Sequence, residues 1–366
     1  MPLDSTSNPG PDLRVIVVTD RVGATQHISF AQPLKRLMLD DKATLVMVRD
    51  RDAGFTLEAI KNFLSQHQPT MLVLSRYTEG RCHALLEQVR SAGIPVIFHI
   101  DDDLLDPPLS LGKTKYEHYR QPARLAALRT AMTDADLIYA STPTLAETLQ
   151  RHGITTPMIA GDIYCSVDVS NLPEPLPATG PVIGYMGTEG HQEDLVLVLP
   201  AIERLLTEVP ELRFELFGTI VMPPQLRRFG TRIAHHPPIS DYNCFLAQLS
   251  NLGWWVGLAP LEDTPFNRCK ADTKWVEYTY AGITVVASAG PVYARACAER
   301  AGLLAADDVE WVACLRHLIF DRSAREVQLG AARTRLMAQY GHLSLEAQLL
   351  HILHQGTFQR MSIVQA

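Results

Sequence analysis

The sequence predicts an α/β fold with two doubly wound parallel sheets that face each other across a cleft. Three observations predict it. Short β-branched runs alternate with amphipathic helical patterns, a proline-rich stretch interrupts them once, and the same alternation then restarts. The chain has 366 residues, room for about two domains of ordinary size.

In the first half, residues 14–19 (RVIVVT) read as a strand, and 27–39 as a helix with Ile28, Ala31, Leu34, Leu37 and Met38 on one face. Strand 43–48, helix 55–66 and strand 70–74 follow. Helix 81–91 ends at Gly93, and strand 95–100 (PVIFHI) leads to a long helix over 116–133. Strand 137–140 and helix 143–152, stopped by Gly153, complete the unit. Residues 169–181 (VSNLPEPLPATGP) hold four prolines and no clear period, which marks a linker.

The second unit opens with strand 182–186 and helix 195–208. Strand 213–217 ends at Gly218, and another strand lies near Ile233. Residues 242–261 carry no charge, but their polar residues and Pro260 divide them into a helix (242–249) and a strand (254–259), not a membrane span. Helix 273–281 and strand 284–288 come next, and the remainder reads as mainly helical. The expected division is a disordered tail at 1–12, units at 13–168 and 182–340, the linker at 169–181, and a last helix over 341–366 that crosses back to the first unit.

Composition narrows the function. Forty acidic residues against 33 basic ones give a net charge of −7, without the basic balance of a nucleic-acid binder. The six cysteines form no C-x-x-C pair and fit reduced thiols. Residues 1–13 (MPLDSTSNPGPDL) lack the charged and apolar regions of a signal peptide, so the expected location is the cytoplasm.

Ligands of doubly wound sheets bind beyond the carboxyl ends of the strands. There, Lys270 lies just before helix 273–281 and Lys274 in its first turn, with Asp272 as the expected cap. The helix dipole disfavours cations at that end, so two lysines there point to an anion between them, and a diphosphate suits the spacing. Glu277, one turn on, would accept hydrogen bonds from ribose hydroxyls. An exposed Lys274–Glu277 surface pair satisfies the same spacing, and spacing alone does not choose.

The segment 266–288 (FNRCKADTKWVEYTYAGITVVAS) resembles the donor-binding region of GT-B glycosyltransferases, specifically a family 4-like group of bacterial polysaccharide biosynthesis. The matching pattern is F-N-x-x-K-x-x-x-K-x-x-E-Y, at Phe266, Asn267, Lys270, Lys274, Glu277 and Tyr278. Thr284 replaces the family's usual proline, and Cys269 stands where the commoner pattern has a first glutamate. Residues 183–205 are similar to the first strand, phosphate-facing loop and helix of the donor domain, with Thr188 and His191 in place of the usual Arg and Lys. Residues 95–108 and 136–149 resemble parts of the acceptor domain, and Asp101 falls where the larger family often carries His. The likeness covers most of 14–300.

The resemblance implies two Rossmann-like domains and a glycosyltransferase that moves a sugar, with retention, from a nucleotide-diphosphate sugar. Gly187, Thr188, His191, Asn267, Lys270, Lys274 and Glu277 are the implied donor contacts. Gly187 also reads as a plain turn glycine, and His191 as an ordinary loop residue. Lys270 would stabilise the leaving diphosphate, and Asp101 would orient or deprotonate an acceptor hydroxyl. The run Asp101, Asp102, Asp103 also fits a D-x-D metal–diphosphate site, or capping and solvation after a strand. No metal is expected from ligand spacing, and no cofactor beyond the donor substrate. The acceptor is a glycan, a lipid-linked glycan or a protein, and a lipid-linked acceptor would bring peripheral membrane contact. Residues 167–180 are the expected hinge. Two rivals remain: a nucleotide-sugar epimerase of the same fold, and a non-catalytic two-domain binding protein.

Overall fold

The structure, a computed structural model, describes residues 12–50, 56–176 and 180–365. The expected tail, apart from Asp12, lies outside those residues, as do the first residue of the helix read at 55–66 and three linker residues at 177–179.

The first unit is a six-stranded parallel sheet in the order β2-β1-β3-β4-β5-β6. Its strands are β1 (Leu13–Thr19), β2 (Ala43–Arg49), β3 (Met71–Ser75), β4 (Val96–Ile100), β5 (Leu137–Ala140) and β6 (Met158–Ala160). β3, β4 and β5 are buried throughout, as strands covered by helices on both faces must be. Between the strands run α1 (24–39), α2 (Leu57–His67), α3 (Cys82–Ser91), α4 (Lys113–Tyr119), α5 (Pro122–Asp134) and α6 (Pro143–Arg151). α1 contains a π-helical stretch at His27–Ala31.

The long helix expected over 116–133 is two helices. Pro122 lacks the N–H a continuing helix needs, and it sits in the first turn of α5 instead. β6, three residues long, carries too short a pattern to be read from sequence.

The second sheet is also six-stranded and parallel, ordered β12-β11-β10-β7-β8-β9. Its strands are β7 (Val182–Gly187), β8 (Arg213–Gly218), β9 (Ile233–His236), β10 (Val256–Ala259), β11 (Thr284–Ser288) and β12 (Leu303–Ala305). Its helices are α7 (Gln192–Val196), α8 (Leu199–Glu208), α9 (Tyr242–Asn251), α10 (Pro265–Arg268), α11 (Thr273–Tyr280), α12 (Pro291–Ala294), α13 (Asp308–Phe320) and α14 (Arg322–Gln339). Trp254, read as strand, precedes β10: its ring lies against Gly184 and its indole donates to Glu215 at 2.9 Å.

The last helix, α15 (His342–Gln365), packs on the first sheet. Leu349, Ile352 and Leu353 join a core with Val15, Val17 and Phe30, and Glu346 pairs with Arg36 of α1. The chain thus passes between the units twice. The passages run side by side: Val167 N–H donates to the Tyr340 carbonyl at 3.0 Å.

Candidate active site at the facing strand ends

Both sheets point their carboxyl ends at one another, and a cavity of about 720 Å³ lies between them. From the first unit it is lined by residues that end or follow strands: Asp20 and Arg21, Arg49, Arg76, Asp101 and Asp102, and Ser141. From the second unit come Thr188 and His191 after β7, and Lys270 and Lys274 around the start of α11. Parallel strands leave side chains free to meet only where they stop, so each contributes a residue or two.

Arg76 organises the first rim. It is a non-glycine residue in left-handed backbone (φ +51°), a conformation retained only where the surroundings enforce it. Its guanidinium bonds Asp101 at 2.8 Å and Asp102 at 3.2 Å. Asp101 also accepts from the Thr25 and Tyr164 hydroxyls, each at 2.9 Å. Burial opposes its charge, but Arg76, His99 and these hydroxyls outweigh it and hold its carboxyl below the usual range. This revises the reading of Asp101 as a proton acceptor. It lines the cleft, but three donors already take its oxygens and its basicity is lowered.

Asp102 differs. Burial and repulsion by Asp101 raise its pKa against Arg76, and its side chain is 24% exposed against 10% for Asp101. Asp103 turns away, bonding His152 at 2.9 Å and capping the backbone of Leu105. The three carboxylates therefore do not converge as a D-x-D metal site requires. Across the rim, Arg124 bonds Glu79 at 3.0 Å and Asp20 at 3.4 Å.

On the second rim, Lys270 and Lys274 have no carboxylate within 4 Å among the described residues. Their close neighbours are aromatic faces: Phe266 lies 5.3 Å from the Lys270 ammonium and Tyr185 lies 5.9 Å from that of Lys274. Burial and Lys270 push Lys274 down to about 8, against the pull of Asp194 and Glu277. Glu277 is not a surface partner of Lys274. It is buried, its carboxylate accepts from the Tyr242 hydroxyl at 3.0 Å, and burial pushes its pKa up to about 7.

Glu277 and Lys274 line a second cavity of about 230 Å³, with Phe217, Ile239 and Phe245 as apolar walls. Thr188, His191 and Lys274 border both cavities, so the smaller one opens towards the larger. His191 Nδ1 donates to Asp194 at 2.7 Å, which fixes the ring and leaves Nε2 as an acceptor. Burial and the two lysines hold the imidazole well below its usual pKa despite Asp194.

Other expectations are relocated. Asn267 is buried behind the cleft, where its amide donates to the Glu262 carbonyl at 3.0 Å and to Asp194 at 3.4 Å. It lines neither cavity and acts through its neighbours. Gly187 lines the smaller cavity, but a Cβ there would meet nothing closer than 3.4 Å. The demanding glycine is Gly218, at φ +118°, where a Cβ would stand 2.3 Å from the Gly187 carbonyl oxygen. Asp272 makes no side-chain cap to α11; it accepts from Tyr340 at 2.6 Å instead. Cys269 is buried against α6 of the first unit and lines neither cavity.

Sequence reasoning missed Arg76, Asp194, Lys115 and Tyr164. Arg76 and Tyr164 follow or approach strand ends without motif context. Asp194 becomes informative only once His191, Glu262 and Asn267 converge on it.

No protein-family model matches the chain, and no curated protein matches it by sequence. Solved structures match its fold over nearly its whole length. Anabaena HepE in complex with UDP-glucose is similar at 14% identity and TM-score 0.65, covering 94% of this chain and 100% of that one. Sucrose-phosphate synthase from Thermosynechococcus elongatus matches at 13% identity and TM-score 0.63, covering 97% and 100%. The α,α-trehalose 6-phosphate synthase of Burkholderia multivorans matches at 15% identity and TM-score 0.60, also covering 97% and 100%. These likenesses establish a GT-B fold of two parallel six-stranded units.

Proposed function

We propose that the protein is a glycosyltransferase that uses a nucleotide-diphosphate sugar. One observation carries this reading. Two lysines with no carboxylate within 4 Å among the described residues stand where an apolar-walled cavity with a carboxylate adjoins a polar cleft. A nucleoside suits the smaller cavity, its base against the wall formed by Ile239 and the stacked Phe217–Phe245 pair and its ribose hydroxyls on Glu277. The diphosphate then meets Lys270, Lys274 and the N-terminal end of α11.

Glycosyl transfer develops oxocarbenium character on the sugar and negative charge on the departing diphosphate. Fixed cations in the cleft stabilise that charge most where it is greatest, in the transition state. The neutral His191 offers Nε2 to a donor hydroxyl. On the first rim, Asp102 is the carboxylate disposed to meet an acceptor hydroxyl, while Asp101 keeps Arg76 and Tyr164 in place. Mixed charges and hydroxyls there suit a polyhydroxyl acceptor. Retention and a glycan, lipid-linked or protein acceptor belong to this proposal. The structural relatives support it through HepE, which is solved with UDP-glucose, and through the two synthases.

Thermal-shift screening with UDP-, GDP- and dTDP-sugars tests the donor class, since ligand binding raises apparent stability by mass action. We expect one base to shift the transition and release nucleoside diphosphate when an acceptor is added. No shift with any of the three sinks the reading. Epimerised sugar formed without acceptor selects the epimerase, and binding without turnover selects the binding protein.

A further inference from the structure

The residues 109–119 form a strap from the first unit over the cleft. Leu109–Leu111 makes a single 3₁₀ turn, Gly112 takes a positive φ of +95°, and α4 follows. The strap reaches the opposite unit: a Cβ on Gly190 would stand 3.2 Å from the Leu111 carbonyl oxygen. Gly190 belongs to the turn Glu189–His191, the loop that follows β7. Leu111, Thr114, Lys115, His118 and Tyr119 of this strap all line the larger cavity.

Lys115 stands out among them. It has no carboxylate within 4 Å among the described residues, whereas Lys113 on the same helix pairs with Glu117. It shares the cavity with Lys270, Lys274 and Arg76. Partial enclosure by the cleft walls, then repulsion by Arg76, lowers its pKa against Asp102 and Glu189, and Lys270 adds to the lowering, although the side chain stays open to the cleft. Cations gathered from two separate units, with Asp102 already engaged by Arg76, repel one another unless an anion lies between them.

We propose that Lys115 is a third phosphate-binding cation, delivered by the first unit, and that the diphosphate site formed by Lys270 and Lys274 is incomplete without it. This rests on the nucleotide-sugar reading above. A diphosphate held from both units would also tie their closure to donor binding, because the strap touches the loop after β7.

Calorimetry on the full chain tests this with UDP, GDP and dTDP, and with the corresponding nucleosides. Lys115 is exposed to the cleft, so Lys115→Ala is compatible with folding. We expect Lys115→Ala to raise the Kd of the nucleoside diphosphate that binds wild type about five- to tenfold. Nucleoside affinity should stay within twofold, and Lys115→Arg should recover most of the loss. An unchanged diphosphate Kd in Lys115→Ala, beside a loss in Lys270→Ala, overturns the proposal and leaves the donor reading intact. Equal losses for nucleoside and diphosphate overturn it too, since phosphate would not be what Lys115 contacts. If wild type binds none of the three diphosphates, the donor reading fails and this proposal fails with it.

Discussion

The two rims of the cleft handle charge in opposite ways. On the first, Arg76 is held by Asp101 and Asp102, and Arg124 by Asp20 and Glu79. On the second, Lys270 and Lys274 face the cavity with aromatic rings, not carboxylates, as their close neighbours. Paired charges hold a rim's own shape. Unpaired, desolvated charges raise the energy of the empty site and lower it again when an anion arrives. The contrast separates arginines held by carboxylates from lysines that, among the described residues, have none within 4 Å, and the proposed function assigns the latter to a ligand. The count of basic residues could not show it.

Breaking the first rim should give the largest effect. Arg76→Ala strands two carboxylates in a cleft that partly excludes water. We expect a loss of about 3 kcal/mol of stability in urea denaturation. A change under about 0.5 kcal/mol would show that these pairs do not hold the rim and would erase the contrast.

Breaking the second rim should leave stability alone and remove affinity. Lys274→Met keeps most of the side-chain volume without the charge. Nucleoside diphosphate Kd should rise at least tenfold, about 1.4 kcal/mol, while the unfolding midpoint holds or increases. The sign follows from the depressed pKa. Unfolded lysine keeps its proton to about 10.4, whereas native Lys274 releases it near 8. The unfolded chain binds more protons between those values, so this group's destabilisation is full below pH 8 and relieved as pH rises further. Lys274→Met should flatten that slope. A loss of stability at pH 7 beyond the cost of repacking would place Lys274 with the structural charges.

The smallest expected effect sharpens the comparison within the second rim. Glu277 should accept ribose hydroxyls best when ionised, above about pH 7. Lys274 should hold phosphate best when protonated, below about pH 8. Nucleotide affinity plotted against pH should therefore be bell-shaped. Glu277→Gln should remove the acid limb and keep the alkaline one. If the acid limb persists in that variant, Glu277 is not the group that sets it.

Much of this was legible in the chain. The alternation of strands and helices carried the α/β class, because burial periodicity is a local property of sequence. Lys270, Lys274 and Glu277 were legible as a set because one short helix carries them, and Thr188 and His191 because they follow a strand at once. Asn267 and Gly187 were read as donor contacts, but Asn267 lines neither cavity and Gly187 is not the glycine that the backbone there demands. Asn267 holds Asp194 and Glu262, and the stringent glycine is Gly218 on the neighbouring strand.

By itself, then, the sequence determined an α/β fold in two units and a cationic helix start on the second. Each depends on residues close together along the chain. The tertiary structure decided what those residues face. It spent Asp101 on Arg76, Thr25 and Tyr164, buried Glu277 beneath Tyr242, and brought Lys115 into the cavity that holds Lys270. Those pairings join residues from different strands and different units, and a carboxylate's or a lysine's role is set by its partners and its share of water, which only the folded chain supplies.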